Sequence, residues 1–218
     1  MDFSLRHQQG PNSVIADIIG CKNGFELLLN SGKAIILEES CLEAKSNEIL
    51  KTDFLQMPCR QVMNLIKKAR KSREYSYAPY SHFNVGAAIL SQNRLGKRKI
   101  FNGCNVENSA YGSTVCAERV AALKAVSEGY RKFFSYAVVG GFDCSVPEKL
   151  RQIAQKEYVA PCGPCRQVTN EFNNDCCSVI LPNDVGGVFI TLLEFLLPLS
   201  FGPANLGLSP LEYDRHNQ

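Results

Sequence analysis

Two short segments, each carrying cysteine at the start of a predicted helix, constrain this chain more than any other feature of its sequence. They read Cys116-Ala117-Glu118-Arg119 and Pro161-Cys162-Gly163-Pro164-Cys165. The spacing of Cys162 and Cys165 places both sulfurs on one side of a first helical turn. Unpaired backbone N–H groups and the helix dipole favour thiolate there, the form that binds metal. By itself, a Cys-x-x-Cys pattern fits a redox pair, half of a structural zinc site, or chance.

A third cysteine changes the balance between these alternatives. Cys116 completes a set of three protein ligands, which with one open position is the arrangement of catalytic zinc. Glu118 lies close enough to reach water on the metal without being a ligand, where a carboxylate can take and return a proton. Three thiolates on Zn²⁺ carry a net charge of −1, and Arg119 is the cation that we expect to offset it. The competing interpretation is buried structural cysteines beside a surface Glu–Arg pair.

Composition excludes several other classes of protein. The 218 residues are 45% hydrophobic and 21% charged, which excludes wholesale disorder. A net charge of +3 gives no argument for a nucleic-acid partner, and the apolar run Val188–Leu199 is too short to span a bilayer. No secretory signal or Asn-x-Ser/Thr site is present, so we expect a reducing, cytoplasmic location and no disulfide framework. The other cysteines are then free thiols: Cys21, Cys41, Cys59, Cys104, Cys144, Cys176 and Cys177.

The order of predicted elements indicates an α/β domain. Residues 1–58 contain one possible hairpin, Phe25–Leu29 with Lys33–Leu37. After it, apolar periodicity predicts strands that alternate with helices, as in a layered α/β fold. The predicted strands are Val85–Leu90, Lys99–Asn102, Phe134–Gly140 and Cys177–Leu181, and the predicted helices begin at Pro58, Thr114 and Pro161.

The two cysteine segments resemble those of the zinc-dependent cytidine deaminase family, and the resemblance extends over about residues 60–205. Further landmarks occur in family order: Tyr77-Ala78-Pro79-Tyr80-Ser81-His82-Phe83, Gly103-Cys104-Asn105-Val106-Glu107-Asn108, Cys116 to Tyr130, and Ser200-Phe201-Gly202-Pro203. Because Cys116 and not His is the first ligand, the chain resembles the homotetrameric branch that acts on free nucleosides.

The resemblance implies a fold, a reaction and an assembly. The fold would be a three-layer α/β/α structure with a mixed central sheet of about five strands, formed by a catalytic domain of residues 59–218 after an N-terminal extension of residues 1–58. The reaction would be hydrolytic deamination of free cytidine and deoxycytidine in pyrimidine salvage, with one Zn²⁺ per subunit. The chain would form a homotetramer whose sites are shared between subunits, without a membrane or nucleic-acid partner.

The family also implies roles for individual residues. Asn105 and Glu107 would hydrogen-bond the ribose hydroxyls, since two residues separated by one on an extended segment face the same side. Phe83 would pack against the pyrimidine. Ala117 would offer its backbone N–H to the base carbonyl, and Glu118 its carboxyl to N3.

Two aromatic residues would lie at the shared boundary between subunits. Phe201 resembles the aromatic residue that reaches into a neighbouring site, and Tyr111 lies at the corresponding boundary. For these two and for Phe83, core or interface packing is the alternative. Segments 91–99 and 143–158 are longer than is usual in the family, and the second is predicted to be helical around Lys149–Lys156.

Two other functions fit the same resemblance. One is a polynucleotide-editing deaminase, which would need a strongly basic groove with aromatic residues. The nineteen basic and thirteen acidic residues of segment 59–218 argue mildly against it. The other is a non-catalytic zinc scaffold, against which Glu118 argues, because zinc ligation does not require that residue.

Overall fold

The computed structural model describes residues 25–29, 32–52 and 54–212. Its strands are β1 (Phe25–Leu29), β2 (Gly32–Glu38), β3 (Ile49–Lys51), β4 (Gln56–Pro58), β5 (Phe83–Asn93), β6 (Arg98–Cys104), β7 (Tyr130–Phe142), β8 (Asn173–Pro182) and β9 (Gly187–Leu192). Its α-helices are α1 (Glu39–Ala44), α2 (Cys59–Arg73), α3 (Ala117–Ser127), α4 (Glu148–Ala154), α5 (Gly163–Asn170) and α6 (Leu193–Leu196). Among these helices, none combines the length and apolarity needed to cross a bilayer.

Seven strands form one mixed sheet in the order β1-β2-β9-β8-β7-β5-β6. β7 and β8 are parallel, and the other neighbours are antiparallel. The parallel pair requires a crossover, which α4 and α5 provide. β3 and β4 form a separate two-stranded sheet.

The sheet is covered on both faces. Along β5, Ala88 and Leu90 join the core that packs under α2. Ala87 and Ile89 point the other way and join the core that includes the alanines of α3. This alternation follows from the two-residue period of a strand. The three-layer α/β class predicted from the resemblance is therefore confirmed.

The prediction of about five strands is wrong in number. β1 and β2 pair antiparallel at the ranges considered above as a hairpin, and β2 also pairs with β9. The N-terminal segment thereby extends the sheet to seven strands. Both strands lie in residues 1–58, outside the part of the chain that carries the resemblance.

Part of the N-terminal segment also shares the hydrophobic core of the domain that follows. Ile35, Leu42 and Leu50 are buried in the same cluster as the inner face of α2. An ion pair of 2.6 Å joins Glu39 of α1 to Arg70 of α2. The division of the chain at residue 58 stays a prediction, and it falls within a continuous core.

Two glycines allow the helices to approach the sheet closely. A Cβ at Gly86 would lie 2.1 Å from the carbonyl oxygen of Ala69 in α2. A Cβ at Gly103 would lie 2.7 Å from the backbone nitrogen of Ala121 and 2.8 Å from the carbonyl oxygen of Ala117. All three distances are too short for a side chain, so the two glycines allow α2 and α3 to pack close against the sheet. Gly103 in particular fixes the start of α3 against the end of β6.

Candidate metal and catalytic site

Two helix N-termini carry the three predicted cysteine ligands. Cys116 is the residue before α3, and Cys162 is the residue before α5. Cys165 lies in the first turn of α5 and is buried. Because the first N–H groups of each helix have no partner within the helix, both ends stabilise negative charge on sulfur.

The three sulfurs converge on one point. All three Sγ atoms lie within 4.8 Å of one another. The Cys116 and Cys162 sulfurs are 3.9 Å apart, and those of Cys162 and Cys165 are 3.3 Å apart. Among the described residues, this is the one group of His, Cys, Asp and Glu side chains arranged to hold a metal ion.

The ionisation of the Cys116 thiol opposes that of the Cys165 thiol. Hydrogen bonding from Cys165, assisted by Arg119, lowers the pKa of the Cys116 thiol to about 5. The interaction of Cys165 with Cys116, together with burial, raises the pKa of the Cys165 thiol. A thiolate at one position therefore disfavours a thiolate at the other, and a bound divalent cation would offset this repulsion. A soft three-thiolate donor set of this kind suits zinc.

Glu118 is a buried carboxyl beside this cluster. It is the second residue of α3, and only 4% of it is exposed. Burial raises the pKa of Glu118, and the charge on Cys116 acts in the same direction. A carboxyl with a raised pKa exchanges protons more readily near neutral pH than an ordinary surface glutamate.

Arg119 lies beside Cys116, where its positive charge offsets the negative charge of the thiolates. Its Nη2 is 3.7 Å from the sulfur of Cys116 and donates a 2.8 Å hydrogen bond to the carbonyl of Thr114. The second contact fixes the guanidinium in place. The structure thus brings together five of the predicted residues: Cys116, Glu118, Arg119, Cys162 and Cys165.

Comparison with known proteins agrees with this geometry. Residues 59–181 match the family model described as the cytidine and deoxycytidylate deaminase zinc-binding region. The chain belongs to this deaminase family. It is therefore a zinc-dependent hydrolytic enzyme, and the three-cysteine cluster is the group in its described part that can hold the zinc.

Several members of the family are similar to this deaminase over most of their own length. A cytidine deaminase from Sporosarcina psychrophila is 44% identical over 145 residues, which are 66% of this chain and 94% of the relative. A cytidine deaminase from Halalkalibacterium halodurans is 40% identical over 137 residues, 63% of this chain and 91% of the relative. The crystal structure of a cytidine deaminase from Burkholderia pseudomallei superposes with a TM-score of 0.53 at 42% identity, covering 64% of this chain and 98% of that one.

The deaminase uses Asn105, a predicted ribose ligand, to hold its own backbone. The side chain accepts a 2.8 Å hydrogen bond from the N–H of Val85 and donates one of 3.0 Å to the carbonyl of Phe83. The residue is 8% exposed. An amide has four hydrogen-bonding positions, so two contacts leave it further capacity. The predicted role toward ribose stays a prediction.

Glu107, the second predicted ribose ligand, caps a nearby loop. Its Oε2 accepts hydrogen bonds of 2.9 and 3.2 Å from the N–H groups of Tyr80 and Ser81. Desolvation acts to raise the pKa of Glu107, but the hydrogen bonds from Ser81 and Tyr80 together outweigh it and lower the pKa. The carboxylate is thereby kept ionised and facing the loop that leads to Phe83.

Phe83 and Ala117 lie at the sheet end and the helix start that the predictions require. The ring of Phe83 packs edge-on against Phe142, with centroids 4.9 Å apart. A Cβ at Gly140 would lie 2.9 Å from the Phe83 ring, so that glycine makes room for it. Ala117 is the first residue of α3, where a backbone N–H has no helical acceptor. These positions do not test the predicted roles of Phe83 and Ala117 in binding the base, which stay predictions.

Tyr111 and Phe201 are exposed in this single chain. Tyr111 lies in a short 3₁₀ turn, with its ring 5.7 Å from that of Tyr80. Phe201 follows α6, and 61% of it is exposed. The structure does not bring these two aromatic residues into the cysteine cluster.

Sequence reasoning missed Arg166, which follows Cys165 directly. Its Nε donates a 2.8 Å hydrogen bond to the carbonyl of Pro161, and its Nη1 donates one of 2.7 Å to the carbonyl of Leu196. Arg166 thus ties the loop before Cys162 to the end of α6. The position of this arginine directly after a Cys-x-x-Cys pair could have indicated a role near the cluster. Its hydrogen-bond acceptors are backbone carbonyls, which no sequence pattern predicts.

Proposed function

We propose that this enzyme deaminates free cytidine and deoxycytidine, consuming water and releasing ammonia to give uridine and deoxyuridine. The observation that carries the proposal is the buried Glu118 carboxyl beside three convergent thiols. The names of the relatives support the same substrate class. The place of the reaction in pyrimidine salvage and the cytoplasmic location are part of the proposal.

Glu118 is the proposed proton carrier. Cys116, Cys162 and Cys165 would hold the zinc, which when bound lowers the pKa of a water molecule at its open position. Glu118 takes a proton from the attacking water and gives it to N3 of the base. It then takes the remaining proton from the hydroxyl now on C4 and delivers it to the amino group, so that the C4 carbonyl forms and the C4–N bond breaks to release ammonia. Its raised pKa supports this role, because the carboxyl must hold a proton between the two transfers.

Arg119 is the proposed counter-charge. Three thiolates with one divalent cation carry a net negative charge, which would disfavour ionisation of the water. The guanidinium 3.7 Å from Cys116 and the two helix N-termini reduce that charge.

Four residues are the proposed substrate contacts within one chain. Asn105 and Glu107 would bind the ribose hydroxyls with the hydrogen-bonding capacity that their backbone contacts leave. Phe83 would pack on the pyrimidine, and the N–H of Ala117 would bind the carbonyl of the base.

Tyr111 and Phe201 would complete the site of a neighbouring subunit in a homotetramer. The exposure of both side chains supports this part of the proposal.

The decisive experiment compares substrates on zinc-loaded enzyme. Loss of ultraviolet absorbance on conversion of cytidine to uridine would be followed with and without a zinc chelator, alongside a single-stranded oligonucleotide containing cytosine. We expect chelator-sensitive turnover of cytidine and none of the oligonucleotide. Turnover of the oligonucleotide alone would favour a polynucleotide deaminase. An inert but zinc-containing protein would favour a scaffold.

A further inference from the structure

Helix α5, which follows Cys162 and contains Cys165, also binds the backbone of the C-terminal segment, residues 199–208. Gln167 and Asn170 lie three residues apart on α5 and therefore share one face. The amide of Gln167 donates a 2.8 Å hydrogen bond to the carbonyl of Phe201, and that of Asn170 donates one of 3.3 Å to the same oxygen. A single carbonyl thus has two side-chain donors.

The contacts of Asn170 continue on both sides of Phe201. Its Oδ1 accepts a 3.3 Å hydrogen bond from the hydroxyl of Ser200. A Cβ at Gly202 would lie 3.0 Å from its Nδ2, so the backbone passes close to the amide. Polar contacts therefore hold Ser200 and Phe201 against α5, and the backbone of Gly202 passes close to it.

The apolar side chains of the same segment point into solvent. Leu199, Phe201, Leu206 and Leu208 are all exposed. Leu199 has a φ of 54°, in the left-handed region that few residues other than glycine adopt. A segment with its backbone fixed and its apolar side chains outward is arranged to contact another molecule.

We propose that Gln167 and Asn170 are positioning residues, which hold the Phe201 backbone so that its ring enters the site of a second copy of this chain. The inference rests on the proposed function for the role of Phe201. The two amides do not touch substrate. They restrict the conformations of the segment, so that fewer are lost when the ring is inserted.

The first test reads the position of the ring without using activity. The chain contains no Trp, so Phe201→Trp introduces a single fluorophore. In the assembled protein we expect blue-shifted emission, because the ring is buried against the second copy. Adding Gln167→Ala and Asn170→Ala should shift the emission to the red. Identical spectra in the two backgrounds would overturn the inference, whether or not cytidine is the substrate.

The second test uses kinetics on cytidine and zinc content. For the Gln167→Ala/Asn170→Ala variant we expect KM to rise about two- to tenfold for each hydrogen bond lost, with zinc content unchanged. Gln167→Glu, which keeps the shape and removes the donor, should behave similarly. Gln152→Ala removes an exposed amide that bonds only within α4 and should leave KM unchanged. A fall in zinc content, or an equal effect of Gln152→Ala, would contradict positioning of Phe201.

Mixed assemblies test whether the effect crosses between subunits. The double variant would be co-expressed with Glu118→Gln chains under separate tags, and doubly tagged protein would be purified. Glu118→Gln chains supply a correctly held Phe201, so the sites that keep Glu118 should recover the wild-type KM. Absence of recovery would overturn the inference. A wild-type enzyme without cytidine turnover would instead overturn the proposed function and leave the fluorescence test in force.

Discussion

The cysteine cluster and the segment from Asn105 to Glu107 differ in what their side chains bind. In the cluster, three sulfurs face one another within 4.8 Å, beside a buried carboxyl. In the segment, Asn105 and Glu107 hydrogen-bond backbone groups of their own chain. The first group is arranged for an external ligand. The second already stabilises the fold, so any substrate contact there would be an additional use.

The largest effect is expected for Glu118→Gln. The amide keeps the shape of the side chain but cannot carry a proton, so kcat should fall by about 10²- to 10⁴-fold. Zinc content should not change, because the glutamate is not a ligand. Kinetics on cytidine with metal analysis would measure both. Glu128→Gln, just after α3, is the matched control, and near-wild-type turnover by Glu118→Gln would disprove the proposed proton transfer.

The next effect in size is expected for Cys162→Ser. A hydroxyl replaces a thiolate ligand, so zinc affinity should fall by more than the ~10- to 100-fold typical of losing an outer-shell partner. Metal stoichiometry after dialysis against a weak chelator would measure the loss. Cys144→Ser alters an exposed thiol outside the cluster and should keep full zinc. Unchanged stoichiometry in Cys162→Ser would remove that residue from the ligand set.

The smallest effect is expected for Asn105→Ala. This variant tests most directly whether Asn105 stabilises the fold, as the comparison with the cysteine cluster implies. The substitution leaves the Val85 N–H and the Phe83 carbonyl without their partner, at a cost of about 1–3 kcal/mol in the free energy of unfolding. Urea denaturation would measure it, and Asn108→Ala, which frees only the exposed N–H of Ala110, would be the control for losing a surface hydrogen bond. If stability were unchanged and only KM rose, Asn105 would be a ligand alone, and the contrast between the two regions would disappear.

Local sequence patterns predicted the cysteines of the cluster and the two helices that begin beside them. Cys162 and Cys165 lie within one helical turn, so spacing alone places their sulfurs together. The helix predicted near Thr114 begins at Ala117, and the one predicted from Pro161 begins at Gly163. Proline and cysteine at these boundaries are strong local signals, and they needed no tertiary information.

The features that were missed depend on contacts between distant parts of the chain. The antiparallel pairing of β2 with β9 joins residues about 150 positions apart. The contacts of Asn105 with β5 and of Arg166 with Leu196 end on backbone atoms, whose position no residue pattern encodes. Sequence patterns thus predicted which cysteines come together, and they did not predict the side chains that hydrogen-bond distant backbone groups.

The position of β2 decides which strand forms the edge of the sheet. Without it, β9 would have one side of its backbone unpaired, as a ready template for strands of other chains. Ala34 to Glu38 pair with that side, residue for residue, from Thr191 to Gly187. The N-terminal segment therefore covers the edge of β9, and in the described part of the chain β1 becomes the outermost strand on that side of the sheet.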